Sequence, residues 1–125
     1  MQPVQSSSAL EMFSTRRVAL VEGDGQAAVM LHTFFRLMEL ECTVVPPDGN
    51  AVPTLRRLDP DVLILDLDLP GLRALDIARE LHALPIILLT SHPPELLPMN
   101  APVMRKPDGD FEDLLRLFEL VLAAE

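Results

Sequence analysis

Four apolar runs in this sequence lead into residues that can do chemistry. Val18-Ala19-Leu20-Val21 stops on Glu22, with Asp24 close behind, and Val62-Leu63-Ile64-Leu65 stops on Asp66. Ile86-Ile87-Leu88-Leu89 runs into Thr90-Ser91, and the short Val103-Met104 is followed by Arg105 and Lys106. Continuous apolar runs of this length, ended by glycine or an acid, fit strands buried on both faces. In open sheets of parallel strands, ligands sit beyond the carboxyl ends. Glu22, Asp24, Asp66, Thr90 and Lys106 are therefore expected to converge on one edge. Clustered carboxylates repel one another and are stable together only with a cation or with raised pKa values. Mg²⁺ is the natural hard cation for oxygen ligands that also accept phosphate oxygens. A hydroxyl and an ammonium beside it would hydrogen-bond and neutralise a transferred phosphoryl group.

The elements that must position these residues follow from spacing. Ala27–Leu40 carries apolar residues at 27, 30, 31, 34, 35, 37 and 38, the period of an amphipathic helix. Thr43-Val44-Val45 reads as a second strand stopped by Pro46-Pro47-Asp48-Gly49. Pro53 suits the first turn of a short helix reaching Leu58, and Ala74–Leu84 is again helical. Phe111–Ala124 closes the chain with apolar positions 111, 114, 115, 118, 121 and 122. Strands alternating with helices imply a doubly wound α/β fold with helices on both faces of a parallel sheet.

The chain has 125 residues, 49% of them apolar and 23% charged, which suits one folded domain. Residues 1–15 show no lasting period and read as a flexible tail, leaving residues 16–125 as the domain. Ten Lys and Arg against nineteen Asp and Glu give a net charge of −9. That excludes the clustered basic footprint of a nucleic-acid binder, which the doublets Arg16-Arg17 and Arg56-Arg57 are too small to supply. No apolar run approaches the roughly 18–20 residues of a membrane helix, and Met1–Ala9 lacks the apolar stretch of a signal peptide. A cytoplasmic location is expected. The single cysteine, Cys42, excludes an internal disulfide, and His32, His82 and His92 lack metal-ligand spacing.

Four segments together resemble the receiver domains of two-component response regulators. They are Val-Ala-Leu-Val-Glu at 18–22, Pro-Asp-Val-Leu-Ile-Leu-Asp-Leu-Asp-Leu-Pro-Gly at 60–71, Pro-Ile-Ile-Leu-Leu-Thr-Ser at 85–91, and Arg-Lys-Pro at 105–107. The resemblance spans residues 16–123 in the family's order. It implies a five-stranded parallel sheet in the order 2-1-3-4-5. It also implies that Asp66 is the phosphoacceptor, phosphorylated by a histidine kinase or phosphotransfer protein, with Thr90 and Lys106 contacting the phosphoryl group. Mg²⁺ would be held by Asp66, by Glu22 or Asp24, and by the main-chain carbonyl of Asp68. The family often has a cis peptide bond at the Lys-Pro step, which makes Pro107 a cis-proline candidate. The downstream partner is left open, and a homodimer is compatible with the resemblance.

The sequence also departs from the family pattern. Two adjacent acids usually follow the first strand, but here Glu22 is followed by Gly23, where a direct Mg²⁺ contact is expected. Mg²⁺ binding should therefore be weak. Ser91–Pro102 holds twelve residues, four of them proline, so the family's fourth helix is expected to be cut to a turn. Val103 stands where the family often has Tyr or Phe, and the chain has no tyrosine. These departures favour a rival reading, a degenerate receiver that binds partners without phosphorylation. A third reading comes from Gly23-Asp24-Gly25-Gln26-Ala27-Ala28, which fits a dinucleotide-binding fingerprint with Asp48 as the ribose acid. It leaves Asp66, Thr90 and Lys106 unexplained.

Overall fold

The computed structural model describes residues 16–69, 73–91, 102–106 and 111–123. The expected tail at 1–15, the shortened fourth helix of the family pattern at 92–101 and the cis-proline candidate Pro107 lie outside them. Strands β1 (Arg17–Val21), β2 (Glu41–Val44), β3 (Val62–Asp66), β4 (Ile86–Thr90) and β5 (Val103–Arg105) form one parallel sheet in the order β2-β1-β3-β4-β5. Helices α1 (Gly25–Leu37), α2 (Ala51–Leu58), α3 (Arg73–Glu80) and α4 (Glu112–Ala123) complete the described elements.

Alternation along the strands divides the core in two. Ala19, Val21, Leu63, Leu65 and Leu88 face Leu55 of α2 and Ile77 of α3. Their neighbours Val18, Leu20, Val62, Ile64, Ile87 and Leu89 face Leu31 and Phe35 of α1 and Leu114 and Phe118 of α4. Successive strand residues point to opposite faces, so a strand covered on both sides must be apolar throughout. That is why β3 and β4 read as unbroken runs and are buried at every position. The edge strand β2 is mostly exposed.

Two helices end earlier than their apolar spacing suggests. The helix expected over Ala27–Leu40 stops at Leu37, because Glu39 turns into the left-handed region at φ 63°. The Leu40 amide then bonds back to the Phe35 carbonyl at 3.0 Å, satisfying the helix end and leading the chain into β2. The helix expected over Ala74–Leu84 stops at Glu80, and residues 81–84 form a turn into Pro85. A residue before proline is pushed out of the helical region, so Leu84 cannot continue it. The register Asp66↔Leu89 and Thr90↔Arg105 brings the carboxyl ends of β3, β4 and β5 to one level.

Candidate functional site

Among the described residues, the buried polar side chains are Glu22, Asp66 and Thr90. All three lie where β1, β3 and β4 end. Burying such groups is unfavourable unless they are hydrogen-bonded or charge-paired, so their shared location points to a site rather than to packing.

Asp66 is held from three sides. The Gly23 amide donates to Oδ2 at 3.0 Å, the Asp68 amide donates to Oδ1 at 2.8 Å, and Lys106 Nζ lies 3.1 Å from Oδ1. Burial disfavours the ionised carboxyl, but Glu22, the two amides and Lys106 outweigh it and hold the Asp66 pKa below its usual value. Asp66 is therefore ionised at neutral pH.

Glu22 behaves in the opposite way. Burial first, and then the neighbouring Asp66, push its pKa up to about 7, against the lowering effect of Lys106 and the Asp24 amide. Its Oε1 accepts from Lys106 Nζ at 2.9 Å and from the Asp24 amide at 3.1 Å. Oε2 is buried with no hydrogen-bond partner. Lys106 reaches this pair from the end of β5, and its own amide donates to the Thr90 carbonyl at 2.8 Å. Burial opposes its charge, but Glu22 and Asp66 hold its pKa well above the ordinary lysine value.

Asp68 supplies a part that the sequence did not disclose. Its carboxylate accepts from Thr90 Oγ1 at 3.0 Å and from the Ser91 amide at 2.8 Å, and lies 3.5 Å from Lys106 Nζ. Burial raises its pKa, but Ser91, Thr90 and Lys106 together bring it below the usual carboxylate range. The resemblance gives Asp68 only a main-chain role and Ser91 none. The signal available was an acid just past the end of one strand, level with a hydroxyl pair at the end of its neighbour.

The four acids proposed for the metal do not all converge. Asp24 turns away and caps α1, accepting from the Gln26 amide at 2.9 Å and the Ala27 amide at 3.5 Å. An N-cap side chain satisfies helix donors that otherwise lack partners, which is sufficient reason for its orientation. It also occupies the helix start where a dinucleotide's pyrophosphate would have to sit. The Asp68 carboxylate is drawn to Thr90 and Ser91. Among the described residues, no three acidic, histidine or cysteine side chains form a group able to hold a metal ion. What remains is the Glu22–Asp66 pair, whose orphaned Oε2 fits a cation or a shared proton. A Cβ at Gly23 would lie 3.4 Å from Asp66 Oδ2 and 3.1 Å from Leu69 Cδ2. An acid there would complete a third side of the pair.

No protein-family model matches the chain. It is 34% identical over 79 residues to the DNA-binding response regulator MtrA of Mycolicibacterium paratuberculosis, an alignment that covers 61% of this chain. It spans about a third of the length of the curated relatives it matches, 35% of MtrA. Its fold is similar to the N-terminal receiver domain of Klebsiella pneumoniae RstA, solved in a BeF3-activated form. The TM-score is 0.74 at 26% identity, covering 85% of this chain and 97% of that one. A response regulator, TrrA, solved in complex with the histidine kinase ThkA, shares the fold with a TM-score of 0.74 at 21% identity, covering 86% of this chain and 98% of that one. Among the described residues, no helix is long and apolar enough to cross a membrane. Sequence relatives and fold point the same way: the chain is similar to response regulators and has the fold of their receiver domains.

Proposed function

We propose that Asp66 accepts a phosphoryl group from a phosphohistidine on a histidine kinase or phosphotransfer protein. The observation that carries this reading is the ionised, buried Asp66 with Lys106 Nζ 3.1 Å from its Oδ1. An oxygen of the Asp66 carboxylate attacks phosphorus, and an aspartyl phosphate forms as the phosphorus–nitrogen bond breaks. The electron pair returns to the imidazole nitrogen, which takes up a proton. Lys106 and the Thr90 hydroxyl then meet the negative charge on the phosphoryl oxygens. In this reading the domain is a signalling module rather than an enzyme, apart from forming and hydrolysing its own aspartyl phosphate.

Receiver domains typically bind Mg²⁺ at the phosphorylation site. Here Glu22, Asp66 and the main-chain carbonyl of Asp68 would hold it, weakly, since Gly23 offers no side chain and Asp24 serves the helix. When bound, the ion would neutralise developing charge on the transferred group.

The test is intact-mass spectrometry after incubation with acetyl phosphate and Mg²⁺. One phosphoryl group is expected on the native chain and none on Asp66→Asn. No incorporation at saturating Mg²⁺, or incorporation that survives Asp66→Asn, would overturn the reading. The first of these results would favour a receiver that binds partners unmodified, which Gly23 already supports.

A further inference from the structure

Besides the donors that hold Asp66, a second set at this edge reaches the carboxylate of Asp68, with Lys106 shared between the two. Thr90 Oγ1 donates to Asp68 Oδ1 at 3.0 Å, the Ser91 amide donates to Asp68 Oδ2 at 2.8 Å, and Lys106 Nζ stands 3.5 Å from the same Oδ2. The Asp68 side chain is only 21% exposed, so it is folded into the site and not solvated above it. Its own amide is tied to Asp66 Oδ1 at 2.8 Å, which fixes the backbone from which the carboxylate turns back. Both carboxylate oxygens are thus engaged by donors from β4 and its following residue, as they would be for a bound anion.

We propose that the Asp68 carboxylate is a built-in occupant of the anion subsite made by Thr90, the Ser91 amide and Lys106, and that an incoming phosphoryl group must displace it. The proposal rests on the reading of Asp66 as acceptor. An amide has one N–H and a threonine hydroxyl one O–H. Neither can serve the Asp68 carboxylate and a phosphoryl oxygen on Asp66 together. Two anions sharing that space would also repel. Asp68 therefore sets how readily the site accepts a phosphoryl group, and before phosphorylation it already holds Thr90 and Ser91 in their anion-bound arrangement.

The experiment compares the initial rate of phosphoryl incorporation from acetyl phosphate, at fixed Mg²⁺, in the native chain, Asp68→Asn and Asp68→Ala. Asparagine keeps an oxygen able to accept from Thr90 or Ser91, whereas alanine vacates the subsite. The expected order is alanine fastest, asparagine intermediate and native slowest. The alanine variant should gain roughly ten-fold or more, the scale of losing charge-assisted hydrogen bonds. Equal rates for the two variants would assign the effect to charge repulsion alone and overturn occupancy, as would an alanine variant no faster than native. A second arm does not depend on phosphorylation. The Ser91 amide resonance is followed by NMR while inorganic phosphate is added. It should move in Asp68→Ala and stay in place in the native chain. If no form takes up a phosphoryl group, the Asp66 reading fails, and this arm still decides the Asp68 proposal: a Ser91 resonance unmoved in Asp68→Ala would overturn it.

Discussion

The two ends of the same sheet each carry acids paired with bases, and the pairings differ in kind. At the amino end, Asp61 accepts from the Arg17 amide at 2.7 Å and lies 3.8 Å from an Arg16 guanidinium nitrogen. The Asp61 amide returns a bond to the Arg17 carbonyl at 2.9 Å. The Arg16 and Asp61 side chains are 29% and 34% exposed. At the carboxyl end one lysine faces three carboxylates, with Glu22 and Asp66 almost wholly enclosed. The amino-end pairing fastens β1 to the start of β3, and water screens its charges. The carboxyl-end cluster gathers negative charge in a place where water cannot relieve it, so protons and cations control it.

That contrast can be broken by substitution. Lys106→Met removes the cation from the carboxyl-end cluster and should cost about 3 kcal/mol, the scale of stranding a buried charge. Urea unfolding followed by circular dichroism measures it, and a loss as small as a surface pair's would abolish the contrast.

The next largest effect is on pH. The folded-state pKa of Glu22, about 7, lies above its ordinary value of 4.5, so the folded chain holds a proton that the unfolded chain releases between them. Stability from this group is full below about 4.5 and is lost as pH rises toward 7. The melting temperature in metal-free buffer should fall across that window, and Glu22→Gln should flatten the fall. An equally steep decline in the variant would remove Glu22 as its cause. Asp66 and Asp68 act in the opposite direction, since their lowered values give stability that disappears as pH drops below the ordinary 3.8.

Asp24→Ala should cost about 1 kcal/mol through the lost helix cap while leaving Mg²⁺ affinity by calorimetry unchanged. Weaker Mg²⁺ binding would return Asp24 to the carboxyl-end cluster. Asp61→Asn should change unfolding free energy least, by under about 1 kcal/mol, because exposed pairs contribute little and the amide oxygen can still accept from Arg17.

The sequence disclosed backbone placement better than side-chain direction. The apolar runs of β1, β3 and β4 marked their own ends, because strands covered on both faces leave no room for a polar residue until they emerge. Hence Glu22, Asp66 and Thr90 could be placed on one edge from the sequence. What spacing could not reveal was which donor each acid would choose. Asp24 had two acceptable uses and took the nearer one, the open amides of α1. Asp68 sits beside a hydroxyl at the end of β4 and the amide of the residue after it, a choice fixed by register between strands and invisible along one strand. The early end of α1 was hidden for a related reason: Glu39 has no sequence mark of a left-handed turn.

The position of Lys106 just past β5 also sets an order of assembly. Lys106 follows Glu22 by 84 residues, so at ordinary rates of synthesis it leaves the ribosome on the order of 4–17 s later. Through the later part of that interval, once Asp66 has followed Glu22, a nascent chain holds both acids without their lysine. A nascent sheet pairing β1, β2, β3 and β4 can gather its apolar interior while its acidic edge stays uncompensated, relying on solvent or a borrowed proton. The closing strand is thus the shortest in the sheet, and it delivers the counter-charge last.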